Sequence, residues 1–462
     1  MKLKIIATLA AAALAFTQFS ANADVSVTTL VSFTGTNGAY LGANPYAELI
    51  QGSDGNFYGT TFNGGSNNMG TVFQMAANGK LTALVSFTGT NGANPYGGLV
   101  QGSNGDLYGT TRNGGSNNLG TAFQITTNGN LTTLVTFNRT NGSNPLTGLL
   151  LATDGYLYGT TLSGGVSNKG TIFQMTINGA LNTLVSFPGG TNGNAPEAGL
   201  MQGMDGDLYG TTFAGGNLFQ IKTNGTITNL VVFTGLSGPF LGKNSTGKLA
   251  QDACGNLYGN TYQGGIYDAP YGWGTIFKVT TNSVFNTLLN FDSTNYGANP
   301  HGGMIFGKDG NLYGTTLTGG TSGVGSVFQL TTNGSFTFLY SFNGDTNCSC
   351  YPAGGFPYAG LVQGSDGNFY GTAEIGGANG YGTIFKMSLQ PAFQSILPAN
   401  GLIKLSWSAI PNKTYQLSYK TNLATPNWQN LGSPILATNG IMSSADIPVA
   451  DLQRFYRVQL LP

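Results

Sequence analysis

The stretch that decides the fold is Asp54-Gly55-Asn56-Phe57-Tyr58-Gly59-Thr60-Thr61. It returns at residues 104–111, 154–161 and 205–212, and in altered copies at 254–261, 309–316 and 366–373. The central tyrosines are Tyr58, Tyr108, Tyr158, Tyr209, Tyr258, Tyr313 and Tyr370, spaced by 50, 50, 51, 49, 55 and 57 residues. Seven copies near a fifty-residue period mean one supersecondary unit used repeatedly.

Within one copy, residues 95–102 read as a short strand A, and Ser103-Asn104-Gly105-Asp106 as a tight turn. Asn-Gly favours such a turn because glycine tolerates positive φ. Leu107–Thr111 reads as strand B, residues 120–125 as strand C and residues 131–137 as strand D. Thr, Val, Ile, Phe and Tyr dominate these runs, which suits a pleated sheet. The predicted unit is a four-stranded antiparallel meander. Both of its faces are apolar, so both must be covered. Packing seven such units around an axis covers them and leaves no long exposed edge.

The ends of the array fit a ring. The first copy of strand D, residues 28–33, precedes any strand A, B or C, and the last strand C, residues 382–387, has no strand D after it. The expectation is an all-β seven-bladed β-propeller over residues 24–387, its N-terminal strand completing the last blade. The period is nearer the kelch value than the WD value. Residues 388–400 read as a linker, and residues 401–462 as a small β-sandwich of alternating strands. Residues 1–23 read as an export signal: Lys2 and Lys4, the apolar run 5–16, then Ala21-Asn22-Ala23. The expected location is therefore secreted, at the cell surface or in the periplasm. After the signal no apolar run is long enough to span a membrane.

Charged residues make up 7% of the chain and the formal net charge is zero, which excludes a basic nucleic-acid groove. Three cysteines, Cys254, Cys348 and Cys350, are too few for a disulfide framework in a chain of 462 residues. The recurring Asp54, Asp154, Asp205, Asp309 and Asp366 invite a calcium reading, but each sits in a separate repeat before a glycine, and turn chemistry explains them. No metal and no cofactor are expected. His301 is the chain's one histidine, so no Ser-His-Asp or Cys-His site is recognisable, and it reads as a packing residue.

Glu48, Glu197 and Asp252 are the carboxylates nearest the axis, and Gln101, Gln202 and Gln363 stand where further acids could have been. The longer loops, residues 236–244, 262–273 and 344–356, all emerge on one face of a propeller. Variable loops on a rigid scaffold suit binding. The candidate ligand-binding residues are Tyr267, Tyr271 and Trp273, which could stack on sugar rings or pack against a protein. The function expected is a noncatalytic exported binding or structural protein whose partner is a glycan or an extracellular protein. The alternative is a polysaccharide hydrolase or lyase acting near the axis, which would need convergent carboxylates.

The ordered phrases Asp-Gly-x-Leu-Tyr-Gly-Thr-Thr, Gly-Gly and Gly-Thr-Ile-Phe-Gln resemble the Gloeobacter/Verrucomicrobia tandem repeat family over residues 28–387. The resemblance implies a bacterial exported or surface protein without an assigned activity. The C-terminal stretch looks like a fibronectin type III-like sandwich, with Trp407 and Tyr456 at core positions.

Overall fold

A computed structural model describes residues 6–8 and 25–461, apart from residues 191–192, 268–269, 344–350, 390–392, 400–401, 410–412, 423–426, 439–440 and 447–452. Cys348 and Cys350 lie outside the described residues. The described secondary structure is strand, and no described helix is long and apolar enough to cross a membrane. The chain divides into two compact units. One comprises residues 27–305 and 312–386, the other residues 1–26, 306–311 and 387–462.

The repeats form seven four-stranded antiparallel sheets among the described residues. In the second sheet the strands are Val100–Gln101, Leu107–Thr111, Thr121–Ile125 and Leu131–Thr136, in the order A-B-C-D. Strand A is thus only two residues long: Pro95 has no amide hydrogen to give a ladder, and the glycines at 97 and 98 weaken a strand. Strand B is buried along its whole length. In the seventh sheet the outer strand is Val25–Ser32, beside Thr383–Leu389.

The C–D pairing of each of the first six sheets carries a bulge. Ala122 faces Val135 and Phe123 faces Thr133, so Leu134 is the extra residue. Leu84, Leu184, Leu230, Leu288 and Leu339 play the same part. A bulge sharpens the local twist. It also turns the leucine carbonyl toward the next sheet. A Cβ added at Gly129, in the C–D turn of the second sheet, would lie 2.9 Å from the Leu84 oxygen of the first.

Apolar cores lie between successive sheets. Tyr58, Val72 and Phe87 of the first pack with Leu107, Phe123 and Ile125 of the second. Tyr370 and Ile384 of the seventh pack with Phe57, Phe73 and Met75 of the first. Two polar contacts recur at these junctions. The first threonine of Gly-Thr-Thr donates to a strand-A carbonyl of the next sheet: Thr60 to Gly97 at 3.2 Å, Thr110 to Thr147 at 2.8 Å and Thr315 to Ala359 at 2.8 Å. Thr372 of the seventh sheet donates to Ala47 of the first at 3.1 Å. The strand-A glutamine accepts an amide from the preceding sheet's turn: Ser53 to Gln101 at 2.9 Å, Thr153 to Gln202 at 2.9 Å and Ser365 to Gln51 at 2.8 Å. The glutamines therefore stand in place of acids because they fasten sheet to sheet.

The repeated aspartate has a local task. Asp54 accepts from the Tyr58 hydroxyl at 2.7 Å and from the Asn56 amide at 3.1 Å. Burial acts to raise its carboxyl, but the bonds from Tyr58 and Asn56 outweigh it and hold the group below its ordinary value. In the fifth sheet Cys254 replaces this aspartate and is an exposed free thiol. Asp252, two residues earlier, takes over and accepts from Tyr258 at 3.0 Å and from the Cys254 amide at 2.9 Å. Asp252 is thus a turn residue, which corrects its expected place among the axial carboxylates.

In the other unit, residues 393–399 form a strand paired with Leu402–Ser408, where a linker was expected. Pro398 lacks an amide hydrogen, but its strand is at the edge of the three-stranded sheet, where none is needed on the outer side. The second sheet of this unit includes Thr414–Lys420 and Gln453–Leu460. Leu405 and Trp407 of one sheet share a buried core with Leu417, Tyr456 and Val458 of the other. Asp446 accepts two bonds from Arg454 at 2.8 and 2.7 Å and one from Tyr456 at 2.7 Å. Residues 6–8 pair antiparallel with residues 453–455.

Candidate functional site

Each repeat begins strand A with the phrase Asn-Pro-aromatic or a variant of it, and these seven beginnings surround a cavity of about 340 Å³. Backbone strain sets the phrase in place. Asn44, Asn94, Asn144, Asn244 and Asn299 have φ between 53° and 57°. Asparagine tolerates this left-handed conformation better than most residues. Its side chain then reaches back across the junction: Asn94 Nδ2 donates to the Phe62 carbonyl at 3.0 Å, and Asn144 Nδ2 to that of Arg112 at 3.1 Å. The next residues are aimed at the axis.

The cavity wall has two layers. The first holds Tyr46, Tyr96, Leu146, Glu197, Thr246, His301 and Tyr358, one from each sheet. Two residues on, the second holds Glu48, Gly98, Gly148, Gly199, Lys248, Gly303 and Gly360. Beyond it the wall includes Ile50, Val100 and Leu150. Glu48 and Glu197, both expected near the axis, therefore share the cavity.

Aromatic rings cluster at the end of the cavity nearest the B–C loops. Tyr46 stacks on Tyr96 at 5.0 Å between centroids and meets Tyr358 edge-on at 4.9 Å, while Tyr96 and Tyr358 are 5.8 Å apart. His301 packs on Tyr358 at 3.8 Å, and Phe62 lies edge-on to Tyr46 at 5.2 Å. Such offset and edge-on pairs are favourable beyond the area they bury.

Burial shapes the charges here. Glu197 is pushed up to about 7 by burial, which the nearby Arg112 only partly offsets. The Tyr46 hydroxyl donates to Glu374 Oε1 at 2.9 Å. Burial raises Glu374 as well, against that hydrogen bond. His301 is driven down to about 4 by burial, so its ring is neutral near pH 7. Its Nδ1 lies 3.2 Å from the Tyr358 carbonyl and so carries the proton there, leaving Nε2 as an acceptor. His301 is a packing residue, as expected, and it also lines the cavity.

Tyr267 and Tyr271 stand on the B–C loop of the fifth sheet, 44% and 66% exposed. Trp273 is half-buried, and its carbonyl accepts the Asn299 amide at 2.8 Å, as Met69 and Leu119 do for Asn94 and Asn144. None of the three lines the cavity. Sequence reasoning missed Arg112 and Glu374. Their signal was readable: in the other repeats the residue after Thr-Thr or its variant is Phe62, Leu162, Phe213, Tyr262 or Leu317, all apolar or aromatic.

The seven stacked sheets define a β-propeller, and solved structures share the fold. A streptogramin B lyase matches over 80% of this chain and 100% of its own, at 15% identity and a TM-score of 0.54. A virginiamycin B lyase from Staphylococcus aureus matches over 79% of this chain and 99% of its own, at 17% identity and a TM-score of 0.53. At such identities the likeness speaks to the fold alone. No curated protein matches the chain by sequence. The chain belongs to the Gloeobacter/Verrucomicrobia repeat family, which matches residues 15–219 and 213–404.

Proposed function

We propose that this chain is an exported, noncatalytic binding protein, a closed seven-bladed propeller that takes a small ligand into its axial cavity. One observation carries the reading. The repeats are uniform where they build sheets and differ where they face the axis: Glu48, Glu197, Lys248 and His301 each break the pattern at a cavity-lining position. A concave site with few convergent polar groups on an apolar wall is the usual form of a small-molecule pocket. Closure of the ring is supported by the Thr372–Ala47 and Ser365–Gln51 bonds and by the place of Val25–Ser32 in the seventh sheet. Export rests on the signal-like residues 1–23. A fibronectin type III-like identity for the second unit rests on its two sheets and shared core.

The test is a ligand screen by thermal shift on the mature chain and on Gly199→Leu. A Cβ at Gly199 meets nothing nearer than the Lys248 side chain at 3.9 Å, so leucine there fills the cavity without a backbone clash. A stabilising ligand that is lost in this variant supports the reading. Ligands that bind the variant unchanged count against it.

A catalytic reading, elimination or hydrolysis on a saccharide, is favoured by one specific feature. Glu197, held near 7, shares the cavity with Glu48, and a carboxyl poised near neutral pH is suited to general acid–base work. Turnover of a saccharide that disappears in Glu197→Gln would establish it. For a glycan or protein partner, the exposed Tyr267 and Tyr271 with Trp273 beside them offer a separate surface on the long-loop face. Binding that survives Gly199→Leu but is lost on truncating Tyr271 would locate the partner there.

A further inference from the structure

We infer that the axial cavity recognises a short peptide with both termini free, its ammonium at Glu48 and its carboxylate at Lys248. This rests on the reading of the cavity as a ligand site and names the ligand's class.

In the second layer five of the seven positions are glycine, and the two side chains that remain carry opposite charge. Glu48 belongs to the first sheet and Lys248 to the fifth. Two sheets separate them one way round the stack and three the other, so they face each other across the lumen. Among the described residues the ion pairs are Lys386–Asp366 and Arg454–Asp446, and neither Glu48 nor Lys248 takes part. Their charged atoms are therefore more than ion-pairing distance apart, and no protein group neutralises either. Packing fixes Gly148 and Gly360, since a Cβ at Gly148 would lie 2.9 Å from the Gly98 oxygen and one at Gly360 2.5 Å from that of Gly303. No neighbouring side chain then blocks access to the two charges.

A ligand that satisfies both must carry a cation and an anion held apart. Two extended residues span roughly 7 Å, which suits a gap wider than an ion pair. On one side of the charged layer the wall is apolar at Ile50, Val100 and Leu150, and on the other it carries Tyr96 and Tyr358, so it accepts apolar side chains. A neutral sugar would bring no counter-charge to either Glu48 or Lys248.

The test is calorimetric titration of the mature full chain with alanyl-leucine, its N-acetyl form and its C-terminal amide. The free dipeptide should bind, and each capped form should bind at least tenfold more weakly. The penalty for the N-acetyl cap should vanish in Glu48→Gln, and that for the amide in Lys248→Met. Neither side chain makes a bond in the fold, so both variants should melt with the wild type. Capped forms that bind as well as the free dipeptide would overturn the proposal. So would binding of a neutral disaccharide, lost in Gly199→Leu, without binding of the dipeptide; the cavity would then remain a ligand site of another class. If neither probe binds and the wider screen finds no ligand sensitive to Gly199→Leu, both readings fall.

Discussion

Thr110 and Thr211 hold the same repeat position and make different contacts. Thr110 donates to the Thr147 carbonyl at 2.8 Å inside the junction of the second and third sheets. Thr211 is equally buried, yet its Oγ1 has no partner. The fifth sheet begins strand A with Asn244-Ser245-Thr246, without the proline. Removing a buried bond and leaving its acceptor unpaired costs about 1–3 kcal/mol, whereas removing an unpaired hydroxyl costs little or is favourable. Thr110→Val should therefore lower the denaturation midpoint, while Thr211→Val should leave it unchanged or raise it. Equal losses in both variants would mean that Thr211 has a partner after all. Glu197 gives a prediction of a different kind. Its raised value means that the fold favours the protonated form. That contribution is fully present below the ordinary carboxylate value of 4.5 and is lost as the pH rises through about 7. Glutamine keeps the shape without titrating. Glu197→Gln and the wild type should match in stability near pH 4, and the variant should be more stable above pH 7, by on the order of 1–2 kcal/mol after discounting for partial exposure. Stability curves that run parallel from pH 4 to 8 would refute the assignment. The sequence revealed Glu197 as a departure from the repeat. Its altered acidity was not legible, because that comes from neighbours brought together from separate sheets.

At the scale of one sheet, the two repeated turns look alike in sequence and differ in what surrounds them. Gly105, in the A–B turn, has φ +85° and nothing within 4 Å of an added Cβ. Gly129, in the C–D turn, has φ +94° and faces the Leu84 oxygen of the preceding sheet at 2.9 Å. Gly105→Ala should cost only the left-handed strain of a non-glycine residue, about 1–2 kcal/mol. Gly129→Ala adds a clash with a backbone atom and should cost clearly more. Comparing the two midpoints measures how firmly adjacent sheets are pressed together, and equal costs would mean that the junction gives way. Strand existence and order were legible throughout the repeats, because period-two patterning and Asn-Gly or Asp-Gly turns recur at fixed spacing. Two features were not. The Leu134 bulge leaves no mark in composition, since leucine fits a regular strand equally well. The strand 393–399 was hidden by Pro398, whose position at a sheet edge depends on the order of strands, not on local sequence.

For the whole molecule the question is what closure into a ring would add to a stack of sheets. In a linear repeat array each unit contacts only its neighbours, and the terminal units fray. Here the seventh sheet takes its outer strand from the opposite end of the chain, and Phe33, just after that strand, is fully buried. Phe33 packs on Phe73 of the first sheet at 5.5 Å, and its amide donates to the Gly382 carbonyl at 3.0 Å. The same short segment thus completes the last sheet and seals its junction with the first. Deleting residues 24–34 removes the strand, exposes the edge of Thr383–Leu389 and leaves the Phe73 side of the core open to water. If the ring is closed, the effect should not stay local. Amide exchange should accelerate in Thr383–Leu389 and also in Phe57–Thr61 and Thr71–Met75, which lie across the junction. Thr121–Ile125 and Thr171–Met175, farther round, should keep most of their protection, and thermal unfolding should become broader as cooperativity falls. Adding back a peptide of residues 24–34 should restore protection on both sides of the junction together. Faster exchange confined to Thr383–Leu389, with the first sheet unchanged, would mean that the N-terminal strand merely caps an open array.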